Sequence, residues 1–221
     1  GYVVGACYLA NPDSGGRRPR VGMISRTTYG GMSWISSYFD TLWSISSVQF
    51  VTTTTGFAVG DKGIILKSTN SGYSWSRQIS PTNSYLSRVK FLHPDTGFAF
   101  GYGIVLRTTD GGAIWTKQTN SSNPWLYAVH FANSAVGYGI SENGIILQTV
   151  DSAKTWQRRQ SPTTGYLGSA RFVSKDTGFV AGGEGVILRT EDGGRRWNSM
   201  ASGTSNFLRS MIFTNSTTGF V

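Results

Sequence analysis

Several features are scarce in this chain, and each scarcity excludes a class of protein. The 221 residues contain one cysteine, Cys7, so no internal disulfide can form, and no His or Cys lies near it at the spacing of metal ligands. No apolar run reaches the ~18 residues of a membrane-spanning helix, and no stretch keeps a helical period. Acidic residues are also few, 11 against 20 Lys and Arg. The sequence therefore predicts no disulfide scaffold, no metal site and no transmembrane segment.

The chain contains instead one motif in five copies. Tryptophan recurs with spacings of 41, 40, 41 and 41 residues, at Trp34, Trp75, Trp115, Trp156 and Trp197. A glycine followed by an aromatic residue keeps the same step at 56–57, 97–98, 137–138, 178–179 and 219–220. A third column consists of Phe50, Phe91, Phe131, Phe172 and Phe213. A fixed period of this size indicates a repeat protein.

Each repeat has the pattern of four short strands joined by tight turns. In the copy at 85–119, strand-like segments cover 86–91, 98–101, 104–108 and 114–118, with turn residues such as Pro94 and Gly111 between them. Four antiparallel strands in 40 to 41 residues form one propeller blade, which buries its apolar faces when blades stack. The predicted fold is therefore an all-β propeller of four-stranded antiparallel blades, with each repeated tryptophan on a fourth strand.

The blade boundaries follow the repeat, whereas the size of the ring stays open. We expect one propeller domain over 1–221, with blade elements at 1–39, 40–80, 81–120, 121–161, 162–202 and a partial element at 203–221. The first element supplies strands two to four of a blade, and residues 207–213 supply a first strand. Pairing of these two ends would close five blades. Alternatively, the chain is a segment of a larger ring.

The turn before each tryptophan follows the pattern S/T-x-D-x-G-x-x-W. In four copies the third position holds Asn70, Asp110, Asp151 and Asp192. A short polar side chain can accept backbone N–H bonds within its own turn, and glycine relieves the backbone where a side chain would clash. The tryptophan then buries a large ring. Because Tyr29, Asn70 and Ala153 depart from the pattern, we predict that these turns have a structural role and are neither catalytic nor calcium sites.

These turns, with the flanking V-x-F, G-F-x-x-G and G-I-I-L-x-T segments, resemble the BNR or Asp-box repeat of the photosystem II stability/assembly factor-like propellers. The resemblance covers nearly all of the chain outside residues 6–21. It implies a propeller that docks on another protein. Asp-box repeats also occur in sialidases and other glycoside hydrolases, so a fragment of an Asp-box hydrolase is the alternative from the enzyme class.

A glycosidase needs two carboxylates beside the scissile bond. Nearly all of the 11 acidic residues occupy a repeated turn or hairpin, which leaves Asp13 in an insertion and Asp40 in an interblade connection. The two histidines, His93 and His130, fall in a turn and a strand without a Ser/His/Asp grouping. We therefore predict no enzymatic activity, no catalytic residue and no cofactor.

The net charge of +9 favours an anionic partner. Two basic columns follow the repeat and are predicted to form a solvated rim. One comprises Arg26, Lys67, Arg107 and Arg189, and the other Arg77, Lys117 and Arg158. No RNP-type or helix-turn-helix motif is present, so we expect no sequence-specific binding of nucleic acid.

Two further groups of residues are the candidate binding sites. The first is the set Arg17, Arg18 and Arg20 in an insertion at 6–21, which replaces a hairpin of four or fewer residues in the other copies. Long loops on a rigid scaffold often carry function, although a disordered surface loop fits this composition equally well. The second lies on the first strands, nearest the propeller axis, and comprises Arg88, Lys90, His130, Arg171 and Arg209. Aromatic residues precede these strands and could bind a peptide or glycan, or pack between blades: Tyr85, Trp125, Tyr166 and Phe207.

The favoured function is a non-catalytic propeller that acts as a protein-binding, scaffold or surface structural module, with a partner whose surface is acidic. A glycan-binding, lectin-like propeller is the alternative among binding modules. The composition is rich in Ser, Thr and Asn, and sequons lie at Asn120 and Asn215. These features favour an exported protein, at the cell surface, outside the cell, or in a periplasm or lumen.

Overall fold

The computed structural model describes residues 1–8, 20–39, 44–118, 126 and 128–221. The chain divides into two compact units, residues 1–118 and 119–221, which are described in turn. In each sheet the strands lie in sequence order, and paired strands are antiparallel. The assignment of 1–221 to one propeller domain stays a prediction.

Unit 1 contains three sheets, which we call blades 1 to 3. Blade 1 has three strands: β1 (Tyr2–Tyr8), β2 (Arg20–Arg26) and β3 (Ile35–Phe39). Blade 2 has four: β4 (Ile45–Phe50), β5 (Gly56–Gly60), β6 (Ile65–Ser68) and β7 (Ser76–Arg77). Blade 3 also has four: β8 (Leu86–Phe91), β9 (Gly97–Gly101), β10 (Ile104–Thr108) and β11 (Thr116–Lys117).

Unit 2 contains blades 4 and 5 and a two-stranded blade 6. Blade 4 consists of β12 (Ala128–Phe131), β13 (Gly137–Ile140), β14 (Ile146–Thr149) and β15 (Gln157–Arg159). Blade 5 consists of β16 (Leu167–Phe172), β17 (Gly178–Gly182), β18 (Ile187–Thr190) and β19 (Asn198–Met200). Blade 6 pairs β20 (Ile212–Phe213) with β21 (Gly219–Phe220).

The predicted all-β architecture of four-stranded antiparallel blades is confirmed. In the described part of the chain, the helical elements are two 3-10 turns, Asp61–Gly63 and Gly183–Gly185. Neither has the length or the apolar character that crossing a bilayer requires. Every residue of β5, β9 and β13 is buried, whereas β7 and β11 are exposed. The second strands of blades 2 to 4 therefore form the cores of their blades, and the fourth strands of blades 2 and 3 face solvent.

The aromatic columns of the sequence meet between neighbouring blades. Phe57 of blade 2 stacks on Phe91 of blade 3, with ring centroids 4.2 Å apart. Trp115 meets these rings edge to face, at 5.9 Å from Phe91 and 6.3 Å from Phe57. Unit 2 contains the same cluster, formed by Tyr138, Phe172 and Trp197. Both pair geometries are favourable for aromatic rings. This aromatic triplet explains why three columns share one period.

Three predicted strand positions need correction. The five repeated tryptophans, which we call the box tryptophans, immediately precede the fourth strands. Pairing starts one residue after the tryptophan, as at Ser76 opposite Lys67 in blade 2. The insertion is shorter than 6–21, since β1 and β2 stay paired as far as Tyr8 opposite Arg20. The first strand predicted at 207–213 begins only at Ile212, which pairs with Phe220.

Candidate binding surface

We call the turn before each repeated tryptophan the box turn. In blade 3 the side chains of Thr108 and Asp110 close this turn. The Thr108 hydroxyl donates to Asp110 Oδ1 at 2.7 Å and accepts the N–H of Gly112 at 2.9 Å. Asp110 Oδ1 also accepts the N–H of Ile114 at 3.0 Å. Gly111 and Gly112 have φ values of +66° and +81°, which glycine adopts readily. The motif therefore encodes two consecutive left-handed residues and the acceptors around them.

The same bonds form where the motif drifts. Asn70 Oδ1 accepts the Ser68 hydroxyl at 3.0 Å and the N–H of Ser74 at 2.9 Å, so an amide serves as well as a carboxylate. Asp151 and Asp192 keep the full set of bonds with their own turns. These residues bond within their own turns, and their structural role stays a prediction.

Hydrogen bonds set the acidity of the box aspartates. The N–H of Ile114, followed by the Thr108 hydroxyl, lowers the pKa of Asp110, and the N–H of Arg196 lowers the pKa of Asp192. Burial pushes the pKa of Asp151 upward, but bonds from its turn outweigh burial, so its pKa is lowered too. Within the described residues, no group of three or more His, Cys, Asp and Glu side chains could hold a metal ion.

The box turns of blades 3 and 5 also pack on the aromatic residue of the preceding blade. A Cβ added at Gly112 would clash with ring carbon Cε1 of Phe57, and one at Gly194 would clash with Cε1 of Tyr138. Trp115 is 4% exposed, and its indole N–H has no hydrogen-bond partner among the described residues. Its contribution to the fold therefore comes from packing.

Two members of the first basic column, Arg26 and Lys67, do not lie in the solvated rim that the sequence predicts. Arg26 is 6% exposed, and its guanidinium lies 3.7 Å above the ring of Tyr73. Lys67 donates from Nζ to the carbonyl of Gly111 at 2.8 Å. Arg26 and Lys67 therefore face the box turn of the next blade rather than water, whereas Arg189 pairs with Glu191 of its own blade at 2.7 Å. The second column is exposed as predicted, at Arg77, Lys117 and Arg158.

Blade 4 replaces this cation with a neutral amide. The Tyr138 hydroxyl and Gln148 Nε2 both donate to the carbonyl of Gly193, and Gln148 Oε1 accepts Arg159 Nε at 2.7 Å. Burial raises the pKa of Tyr138 despite the opposing bond from Gln148, so the phenol stays a donor. Our sequence reasoning missed this group of residues. The signal was the break in the basic column at Gln148.

The predicted first-strand candidates differ in exposure. Arg88 and Lys90 lie two residues apart on β8, so they share one face, and His130 and Arg171 lie on β12 and β16. Arg88 and Arg171 are exposed, while Lys90 and His130 are half-buried. Arg209 precedes β20 and is not on a strand.

Two of these side chains contact the next blade. Arg171 Nε donates to the carbonyl of Met211 at 3.4 Å, and the ring of His130 lies parallel to Phe172 at 6.1 Å. Gln49, at the equivalent position of blade 2, bonds the backbone of the next first strand in the same way. The column therefore joins blades as well as presenting exposed cations.

The predicted aromatic residues partly come together. Tyr85 and Tyr166 are half-buried, and their carbonyls accept backbone N–H groups from hairpins of their own blades. The rings of Tyr166 and Phe207 lie 6.0 Å apart, with Phe207 61% exposed. Trp125 lies outside the described residues.

The insertion is described only at its edges. Arg20 is the first residue of β2 and is exposed. Arg17, Arg18 and Asp13 lie outside the described residues, as does Asp40 in the interblade connection.

Solved propellers are similar to this chain in fold. The structure titled "YCF48 bound to D1 peptide" is 17% identical, covers 91% of this chain and 83% of its own, and has a TM-score of 0.57. YCF48 from Cyanidioschyzon merolae is 19% identical, with coverages of 91% and 71% and a TM-score of 0.69. An ancestral GH74 enzyme is 16% identical over 71% of this chain and 24% of its own, with a TM-score of 0.61. At these identities the similarity establishes the propeller fold alone.

A search of the curated proteins found no match. The sequence model of the family described as Photosynthesis system II assembly factor YCF48 matches residues 27–123, 74–163 and 119–205. These matches overlap, and together they include the box turns of all five copies. The chain therefore belongs to this family of BNR-repeat propellers.

Proposed function

We propose that the chain is a non-catalytic propeller that binds another protein as an assembly factor or scaffold. The observation that carries this proposal is the match of residues 27–205 to a family of assembly factors. A propeller of the same fold, YCF48, has been solved with a D1 peptide bound. The two findings support a protein, or a peptide segment of one, as the partner.

The chemistry of the acidic residues also supports binding over catalysis. A glycosidase acid needs a raised pKa, whereas the pKa values of Asp110, Asp151 and Asp192 are lowered by their own turns. Glu191 pairs with Arg189 of its own blade at 2.7 Å. These acids serve the fold.

Calorimetry with three classes of ligand tests the proposal. We expect saturable binding of one peptide per chain from a set that contains the D1 peptide and acidic, neutral and basic blocked peptides. Glycans and aryl glycosides should neither bind nor turn over. Glycan binding without peptide binding would favour the lectin alternative, and glycoside hydrolysis would favour the hydrolase alternative. No peptide binding by the folded chain would overturn the proposal.

The insertion and the first-strand candidates make different contributions to this binding. We propose that Arg17, Arg18 and Arg20 attract an acidic partner over long range, which salt screens with a Debye length of ~8 Å at physiological ionic strength. Changing all three to Ser should weaken binding at low salt and flatten its salt dependence, without altering the melting temperature. The matched change of Arg77, Lys117 and Arg158 to Ser should alter binding less. Equal affinity of the wild type and the insertion variant at every salt concentration would leave Arg88 and Arg171 as the candidates.

We also propose that the protein is exported. The support is the composition and the sequon at Asn215, which is exposed in the turn between β20 and β21. Fractionation of cells that express the full reading frame should recover the protein outside the cytoplasm. Recovery in the cytoplasm alone would contradict this location.

A further inference from the structure

A polar groove between blades 4 and 5 is lined by an unusual set of charged residues. Its volume is about 370 Å³, within the roughly 300–1,000 Å³ range of small-ligand sites. Three cations line it, Arg159, Lys175 and Arg195, together with two acids, Asp176 and Asp192. None of these cations belongs to the first-strand set or to the insertion. The groove is therefore a separate surface.

Comparison with the other copies shows that two of these cations, Arg159 and Lys175, are additions to the repeat. The position of Arg159 holds Gln78, Gln118 and Met200 in the other four-stranded blades. The position of Lys175 holds Thr53, Pro94 and Ser134. A residue that the blade needs would recur in every copy, as the box tryptophan does. Residues that depart from the repeat and meet in one groove serve something other than the blade.

The amide of Gln148 explains how the groove obtains its fixed cation. In blade 2 the cation, Lys67, lies beneath the next box turn, and the neutral Gln78 occupies the fourth-strand side. In blade 4 the order is reversed, with Gln148 beneath the turn and Arg159 on the fourth-strand side. Gln148 is 5% exposed, and its Oε1 holds Arg159 Nε at 2.7 Å. The guanidinium is therefore oriented through Nε, which leaves its terminal nitrogens to face a ligand.

The two acids of the groove form no ion pair with its arginines among the described residues. Asp192 Oδ1 is engaged by the N–H groups of Arg195 and Arg196, both at 2.9 Å, within its own turn. Asp176 lies 3.8 Å from Lys175, in an ion pair exposed to solvent. Among the residues that the structure describes, neither the Arg159 nor the Arg195 guanidinium forms an ion pair. The lining carries three positive and two negative charges, which suits a single negative charge better than a dianion.

We infer that this groove binds a carboxylate side chain of an acidic peptide segment, with Arg159 and Arg195 as its ligands and Gln148 as the positioning residue for Arg159. Arginine presents paired N–H donors that match the two oxygens of a carboxylate, and a pre-oriented guanidinium loses less freedom on binding. The inference rests on the proposed protein-binding function and adds a site and a partner chemistry to it.

The test uses the whole chain and the blocked peptide acetyl-GEEG-amide, with acetyl-GQQG-amide and inorganic phosphate as comparison probes. We expect the Glu peptide to bind and to shift the Arg159 Nε–Hε resonance, while the Gln peptide does neither. Arg159→Gln restores the residue found in blades 2 and 3, so it should fold, and it should weaken binding by about tenfold or more, the equivalent of one charge-assisted hydrogen bond. The matched control is Arg158→Gln, which removes the same charge from the neighbouring exposed position and should leave affinity unchanged.

A second variant tests the role of Gln148. Gln148→Lys restores the residue of blade 2 and its bond to the turn carbonyl, but it removes the acceptor of Arg159. The Arg159 Nε–Hε signal should then show greater mobility, and binding of the Glu peptide should weaken although the charge has increased. A gain in affinity would show that net charge alone governs binding and would overturn the positioning role.

Three outcomes would overturn the site itself. Equal losses in Arg158→Gln and Arg159→Gln would reduce the effect to overall charge. Phosphate binding as tight as that of the Glu peptide would indicate a general anion site. The third outcome is that the Glu peptide fails to bind, while another peptide, such as the D1 peptide, binds equally well to the wild type and to Arg159→Gln. That result would reject the groove as the site and leave the protein-binding function intact. If no peptide binds at all, the proposed protein-binding function itself is contradicted, and the groove as a peptide site with it.

Discussion

The first and third box turns place a tryptophan at the same point of the repeat, but only the third buries it. Trp34 is 44% exposed, whereas Trp115 is 4% exposed. Trp34 Nε1 donates to the carbonyl of Gly31 at 3.0 Å, while the Trp115 indole has no such partner among the described residues. The tryptophan with the hydrogen bond lacks the burial, and the buried one lacks the bond. Aromatic packing between blades is therefore what the repeated tryptophan provides.

The turns themselves differ less than their surroundings. The Thr27 hydroxyl accepts the N–H of Gly31 at 3.1 Å, close to the 2.9 Å of the equivalent bond from Gly112 to Thr108. The first turn keeps this bond although Tyr29 replaces the aspartate. Local hydrogen bonds thus close the turn, and the neighbouring blade determines how much the closed turn stabilises.

The largest expected effect distinguishes the two tryptophans. Trp115→Ala removes one ring of an aromatic triplet and should reduce the free energy of unfolding by about 3–5 kcal/mol, as for other buried aromatic residues. Trp34→Ala should cost less than about 1 kcal/mol, because the ring is half exposed. Urea denaturation of both variants measures the difference. Equal losses of unfolding free energy in the two variants would show that the aromatic triplet does not add to the stability.

The glycines of the two turns should differ in the same direction. Gly112→Ala combines a left-handed backbone, which costs about 1–2 kcal/mol, with a clash against Phe57, which adds about 1–3 kcal/mol. Gly31→Ala has the strained backbone alone, since the nearest atom to its Cβ would be Trp34 Cζ2 at 4.0 Å. Thermal unfolding of the two variants should therefore show the larger loss at Gly112. The reverse order would contradict the packing of the turn on the preceding blade.

Acid should weaken the aspartate turns and spare the asparagine turn. The pKa of Asp192 is lowered in the folded state, so its contribution is present above the usual value of 3.8 and is lost as the pH falls through the folded-state pKa. Asp192→Asn copies the turn of Asn70 and should fold at neutral pH. Between about pH 5 and pH 3, the free energy of unfolding should fall less in this variant than in the wild type. The difference between the two falls should be under ~1 kcal/mol, because the carboxylate is exposed. Parallel pH profiles would show that this carboxylate is not coupled to folding.

The smallest effect concerns the copy in which alanine replaces the second glycine. Ala153 has a φ of +59°, a conformation that strains any residue with a Cβ. Ala153→Gly relieves this strain, but glycine also loses more backbone entropy on folding than alanine does. The net free energy of unfolding should therefore rise by up to about 1 kcal/mol. Calorimetric unfolding measures the gain. A loss would show that packing of the buried Ala153 methyl outweighs the backbone strain.

The sequence predicts the blades well because the information is local and repeated. The second strand at 97–101 is an apolar run between a Thr-Gly turn and a tight hairpin, so its position follows from neighbouring residues. The sequence predicts the starts of the fourth strands less well, because pairing at Thr116 begins after the tryptophan, at a point that the partner strand determines. The columns also predict that three aromatic residues serve one purpose, although not that they meet between blades.

The candidate site is less predictable because it depends on contacts between blades. The sequence places Lys67 in a basic column that is predicted to be exposed. Lys67 donates a hydrogen bond between blades only because the box turn of the next blade lies against it. Arg159, Lys175 and Arg195 are far apart in sequence and share no motif. Their meeting in one groove follows from the stacking of blades 4 and 5. The break in the basic column at Gln148 was the one available signal.

Native-state hydrogen exchange of two backbone amides tests the central claim most directly, that the box residues stabilise the fold through the neighbouring blade. The amides of Gly112 and Gly31 donate to equivalent threonine hydroxyls at 2.9 and 3.1 Å, so their own bonds predict similar protection. If packing on the preceding blade dominates, the Gly112 amide should exchange at least roughly a hundredfold more slowly than that of Gly31, because it opens only with the interblade core. Equal protection of the two amides would contradict the account.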